Sequence, residues 1–172
     1  MRNTLPISFI VLTLILGATL VSSAHGAAIN PHELLGIAEP SLLPDSPLYF
    51  FKNLVRGLRL FFAFDPVKKA ELELRFGDEK LVEAIKLSQT TDREEVLERA
   101  LANYLEAQQR LETRLESLKG KNKNVDNLLA KLADRVLDHQ QLFGELEEKF
   151  AEKQVKEAAK GLGRSIKKAV EL

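Results

Sequence analysis

The feature that most limits this chain is where proline stops. All six prolines lie at positions 6, 31, 40, 44, 47 and 66, and the 106 residues from Val67 to Leu172 contain none. Proline breaks helix interiors by removing an amide donor and clashing with the preceding turn, so a run this long without it is free to be helical. The run is rich in Leu, Ala, Glu, Lys, Arg and Gln, which lose little rotamer freedom in a helix, and poor in β-branched residues. Strand-like alternation of apolar and polar residues is absent from it. The expected fold class is all-α.

Apolar spacing divides the run into three long helices. The first opens at Asp65-Pro66, a capping side chain followed by proline at the first helical position. At 100° per residue, Val67, Ala70, Leu74, Gly77, Leu81, Val82, Ala84, Ile85 and Ser88 form one stripe, while Leu72, Phe76 and Leu87 lie opposite. A helix with two apolar sides is expected to be buried twice. Thr90-Thr91-Asp92 breaks the pattern, and Thr91 with Glu94, or Asp92 with Glu95, has capping-box spacing. The second helix carries the heptad seam Leu97, Leu101, Tyr104, Gln108, Leu111, Leu115 and Leu118. Its one polar member, Gln108, sets register or marks a small polar cavity. After the turn Lys119–Asn124, the third helix begins near Val125, with the seam Val125, Leu129, Leu132, Val136, His139, Phe143, Leu146 and Phe150. Short turns between such helices require an antiparallel bundle sharing one core.

Residues 29–44, with three prolines and Gly36, read as an irregular lead. Asp45-Ser46-Pro47 then looks like a helix start, giving a short helix over 47–62. Six of the eleven aromatics fall between Tyr49 and Phe64. That density predicts a strongly buried element whose rings pack on Leu72 and Phe76. Beyond Phe150 the apolar stripe rotates by about 100° to Val155, Ala158, Leu162, Ile166 and Ala169. Gly161 and Gly163 each weaken helix by about 1 kcal/mol, so a bend or break is expected between Ala151 and Gly163. The bundle domain is thus expected over 45–150, with a separate basic amphipathic segment over 151–172.

The first 28 residues have the parts of a secretory signal peptide. Arg2 is the only charge before Glu33, Ile7–Val21 is an apolar run, and Ser22–Ala28 are small residues apart from His25. Fifteen apolar residues fall short of the about 20 a spanning helix needs. Cleavage after Ala24, Gly26 or Ala28 is consistent with this, and an uncleaved anchor is the alternative. Either way the remainder is expected outside the cytoplasm, secreted or on the outer face of the membrane.

Composition removes many chemistries. The chain has no cysteine and a single methionine, Met1, so thiolate metal sites, thiol nucleophiles and thioether copper sites are excluded. Lys and Arg number 25 against 25 Asp and Glu, which offers no basic field for nucleic acid. Of three histidines, only His139 lies on a core stripe, and neither Glu-x-x-His nor His-x-x-x-His occurs. Glu94, Glu95, Glu98, Glu145, Glu147 and Glu148 alternate with cations opposite the seams, as on a solvated face. Gly-x-Ser-x-Gly and a glycine-rich phosphate loop are both absent. Accordingly no enzyme activity, catalytic residue, metal, cofactor or small-molecule substrate is expected.

Leu43-Pro-Asp-Ser-Pro-Leu-Tyr-Phe-Phe-Lys52, followed by Phe64-Asp-Pro-Val-Lys-Lys-Ala-Glu-Leu72, resembles a domain of unknown function found in exported bacterial and archaeal proteins. Its pattern reads roughly L-P-x-S-P-x-Y…F-D-P-x-x-K-A-x-L. Leu118–Glu145, with Lys-Asn-Val-Asp126 and Asp138-His-Gln140, is similar to the later part of that family. The resemblance implies export and a helical domain, with no activity or substrate attached.

The expected role is a non-catalytic interaction or structural module of the cell envelope, binding an unidentified envelope protein or itself. A small envelope chaperone or a binder of anionic membrane surfaces is the alternative. The surface expected to engage is the basic C-terminal stripe: Val155, Lys156, Lys160, Leu162, Arg164, Ile166 and Lys167.

Overall fold

A computed structural model describes residues 29–121, 124–147 and 152–172, all of whose regular elements are helical. They are α1 (Pro31–Leu34), α2 (Tyr49–Phe62), α3 (Pro66–Thr90), α4 (Glu94–Leu118), α5 (Asp126–Glu147) and α6 (Glu152–Val170). The signal-peptide reading of residues 1–28 and the seam position Phe150 lie outside the described residues.

Asp65 caps α3 as its sequence suggests, its carboxylate accepting from the Val67 and Lys68 amides with Pro66 at the first turn. The other caps differ. Pro47 sits in a turn ahead of α2, which begins two residues later at Tyr49. At α4 the Thr91 side chain does not bond the Glu94 amide. Arg93 holds the N-cap position without a side-chain bond, and Thr91 Oγ1 accepts from the Arg93 amide instead. Gly120, at φ 73°, makes the turn after α4 in a conformation that a β-carbon would resist.

Cross-helix pairs give the directions. From Glu73–Arg110 to Gly77–Gln108, residue numbers rise on α3 as they fall on α4, so those two are antiparallel. Gln108–Ser165, Glu112–Arg164 and Glu116–Lys168 advance broadly together, so α4 and α6 are parallel. Around the bundle the order is α3, α4, α6, α5, which leaves α4 and α5 on a diagonal. The C-terminal helix fills the space between them. Val155, Ala158, Leu162 and Ala169 are buried in the core with Ile166 against it, and Arg164 and Lys168 pair with Glu112 and Glu116 of α4. Residues 152–170 therefore form a fourth bundle helix, one that passes through Gly161 and Gly163 unbroken. The bond energy along a helix is regained by burying its apolar stripe, which outweighs two glycines. Ala151, where the expected bend begins, lies outside the described residues.

All seven members of the α4 seam are buried. On α5 the core includes Leu128 and Leu142 besides the expected Leu132, Val136, Phe143 and Leu146, while Val125 and Leu129 are only partly covered. The α3 helix is central, buried on both sides as expected. The lead is partly ordered too. Leu35 enters the core and its carbonyl accepts from Arg135 Nη2 at 2.8 Å.

The largest departure is α2. Its phenylalanines are not the buried element expected. Phe50, Phe51, Phe61 and Phe62 are exposed, as are Leu54, Val55 and Leu58, and Phe64 just beyond is 88% exposed. The buried residues of α2 are Tyr49 and Arg56. The helix turns its polar side inward because carboxylates of α3 wait there.

Candidate functional site

Two polar constructions and one apolar surface stand apart from the leucine core. The first construction joins α2 to α3. Fully buried Glu83 pairs with Lys52 at 2.5 Å and Arg56 at 2.6 Å, and accepts the Tyr49 hydroxyl. Arg56 also reaches Glu79 at 2.8 Å and lies 5.9 Å from the centre of the Phe76 ring. Burial works against the charge of Arg56, but Glu83 outweighs it and holds the guanidinium above its ordinary range. Burial, then the charge of Glu83, pushes the Tyr49 phenol up. Lys80 Nζ donates to Tyr49 Oη at 3.2 Å, and burial together with Arg56 lowers it to about 8.

The second is a polar layer across the bundle, to which each of the four long helices contributes. His139, fully buried on α5, donates from Nε2 to Asp78 Oδ1 at 2.8 Å, leaving Nδ1 to accept the Tyr104 hydroxyl at 3.0 Å. Arg135 donates to Asp78 at 2.9 Å and to Asp138 at 2.9 Å. On the α4–α6 side, Gln108 Oε1 accepts from Ser165 at 3.2 Å, while Gln108 Nε2 faces Gly77 and meets no acceptor in good geometry, its amide bearing on the Tyr104 hydroxyl. A β-carbon at residue 77 would stand 3.3 Å from that nitrogen. The His–Asp–Tyr chain has the atom types of a proton relay. It is sealed among Phe143, Val136 and neighbouring core residues, and its members satisfy one another. His139 is buried, on the core stripe where its spacing put it.

The apolar surface is the outward side of α2. In 100° steps from Tyr49, the exposed Phe50, Phe61, Leu54, Leu58, Phe51, Phe62 and Val55 occupy one arc of about 140°. Lys52, Arg56 and Tyr49 occupy the opposite arc, with Arg59 at the boundary. Beside the arc, a cleft of about 440 Å³ is lined by four cations, Lys52, Arg56, Arg59 and Arg75, by two carboxylates, Glu79 and the Lys86-paired Glu39, by Phe51 and Val55, and by the rest of the lead from Ile37 to Leu42. Arg59 makes no ion pair among the described residues, and Arg75 approaches Glu79 only to 3.6 Å.

The expected C-terminal surface is placed differently. Val155 and Leu162 are inside the core, Ile166 packs against it, and Arg164 is spent on Glu112. Lys156, Lys160 and Lys167 remain at the surface, Lys160 pairing with Glu157 one turn away. The seven residues are thus divided between core and solvent and present no shared apolar face. Glu94, Glu95 and Glu98 are exposed, as their charge pattern implies. Sequence reading passed over the carboxylates that matter structurally, Glu73, Asp78 and Glu83, all buried on α3. Their signal was the number of charges on a helix with two apolar sides, some of which have to point inward. No group of three potential ligands for a metal occurs among the described residues, and no helix among them is long and apolar enough to cross a membrane.

A family model described as a domain of unknown function, DUF5667, matches residues 41–153, a span that takes in α2, α3, α4 and α5. No curated protein and no solved structure matches the chain.

Proposed function

The chain belongs to the DUF5667 family of domains of unknown function, and for this member we propose a non-catalytic role as an interaction module of the cell envelope. It works outside the cytoplasm and engages its partner through the outward face of α2. The observation that carries this reading is the inside-out helix: α2 buries an arginine and a tyrosine while leaving seven large apolar side chains in solvent. An isolated exposed leucine needs no explanation, but a contiguous apolar arc of this size marks a contact surface. Export is supported by the basic start, apolar run and small residues of positions 1–28. The non-catalytic reading is supported by the polar layer, in which His139, Asp78 and Tyr104 are buried and bonded to one another.

Photo-crosslinking in the native envelope tests it. A crosslinking residue at Leu54 or Leu58 should capture a partner, whereas one at Lys160 on α6 should not. Capture at Lys160 alone would transfer the role to the C-terminal helix and end this reading.

A further inference from the structure

We propose that the partner of the α2 face is a lipid bilayer bearing anionic headgroups, on which α2 lies flat with its phenylalanines in the acyl boundary and the cleft beside it against the headgroups. The inference rests on α2 being the docking face and adds the chemistry of what docks.

Three observations favour lipid. The arc is convex, because a single helix standing on its polar side offers no groove, so a well-fitting partner has to be soft or concave. With Phe64 and Leu48 at its ends, the patch exposes on the order of 1,000 Å² of apolar surface, above the about 300–600 Å² of the largest patch on an ordinary monomer. Its make-up, Phe and Leu on one arc opposite Lys and Arg on the other, is that of an amphipathic helix lying in a membrane interface.

Charge decides between lipid and a second copy of the chain. Lys52, Arg56 and Arg59 are the only charges on α2, and Lys80 and Arg75 of α3 stand beside them. Glu79 and Glu83 answer only part of this set. Two α2 faces pressed together would supply no countercharge for Arg59 or Arg75. Phosphate groups would supply it, and the cleft holds both arginines at the edge of the apolar arc.

The chain has no tryptophan, so a single indole reports on its own surroundings. Leu58→Trp places one on the arc, and Leu137→Trp places one at an exposed position of α5. The full chain is mixed with vesicles of phosphatidylglycerol carrying brominated acyl chains, and with matched phosphatidylcholine vesicles. The expected result is a blue shift and at least threefold stronger quenching at position 58 than at 137, on phosphatidylglycerol only, weakening as salt rises. Arg59→Gln with Arg75→Gln should lower phosphatidylglycerol affinity at least about threefold in the Leu58→Trp background. Three results would overturn the inference. Emission at position 58 that ignores vesicles refutes it, and so does equal quenching on phosphatidylcholine. A lipid-free blue shift also refutes it, assigning the face to a second copy if it grows with protein concentration and to residues 7–21 of the chain if it does not. In each case envelope crosslinks from Leu54 or Leu58 to protein would keep α2 as the docking face, and the loss of those crosslinks as well would remove both readings.

Discussion

Arg56 Nη2 lies 2.6 Å from Glu83 Oε1, both side chains being buried, and this contact joins α2, with its exposed apolar arc, to the central α3. Replacing Glu83 by Gln keeps the shape but removes the charge that answers Arg56 and Lys52 and weakens the acceptor for Tyr49. Removing one partner of a buried pair costs about 3–5 kcal/mol, and the lower end applies because Arg56 retains Glu79. Glu83→Gln is therefore expected to lose about 3 kcal/mol in urea unfolding, with faster amide exchange along α2. A loss below about 0.5 kcal/mol would mean that something else holds α2 in place.

Tyr104 and His139 make a separate prediction. Burial, then the charge of Asp78, keeps the Tyr104 phenol well above its ordinary range, so the hydroxyl stays a donor to His139 Nδ1. Tyr104→Phe leaves that nitrogen buried without a donor, at a cost of about 1–2 kcal/mol. The midpoint of thermal unfolding should fall by roughly 2–8 °C for a chain of this size. An unchanged midpoint would show that the hydroxyl contributes nothing to the layer.

How much of this was legible in the sequence depends on how far apart the deciding residues lie. The α4 seam needed only the 3.5-residue repeat from Leu97 to Leu118, and every member is buried. His139 and Gln108 stood out because each interrupts such a seam. The faces of α2 were equally regular, but which face turned inward was decided by Glu79 and Glu83, which lie 23 and 27 residues beyond Arg56 and on another helix. Aromatic density suggested burial, and ion pairing overruled it. The C-terminal stripe was read as a stripe, whereas its place between α4 and α5 followed from α4 and α5 standing diagonally, which no local pattern encodes.

Gln108 is the costly member of the polar layer. Its Oε1 accepts from Ser165, but its Nε2 is buried with no acceptor in good geometry, and Ser165 has the Gly161 carbonyl at 3.4 Å as a second partner. Gln108→Leu removes the unpaired donor at similar volume, so it is expected to stabilise the fold by about 1 kcal/mol in urea unfolding. A loss of 1 kcal/mol or more would show that the amide bonds to something it needs, a bridging water being the first candidate to seek.

Lys80 gives the fold a pH dependence of definite sign. Burial, reinforced by the positive charge of Arg56, lowers its ammonium from the ordinary 10.5 to about 8. Between about pH 8 and 10.5 the unfolded chain holds a proton that the folded chain has released, so stability rises with pH across that window. Below pH 8 both states are charged and the full penalty is present. Tyr49 opposes the rise at the top. Its phenol is raised by burial and by Glu83, so the stability that it contributes is present below its unfolded value near 10 and is lost above it. Urea unfolding at pH 8 and 9.5 should therefore show a gain of about 1.5 kcal/mol, a little over one unit at 1.36 kcal/mol, because the folded lysine is only half deprotonated at pH 8. Lys80→Met should abolish the gain while leaving Glu83 paired with Arg56 and Lys52. Stability that falls from pH 8 to 9.5 in the unaltered chain would show that Lys80 keeps its charge in the folded state, held by Glu83 against the burial.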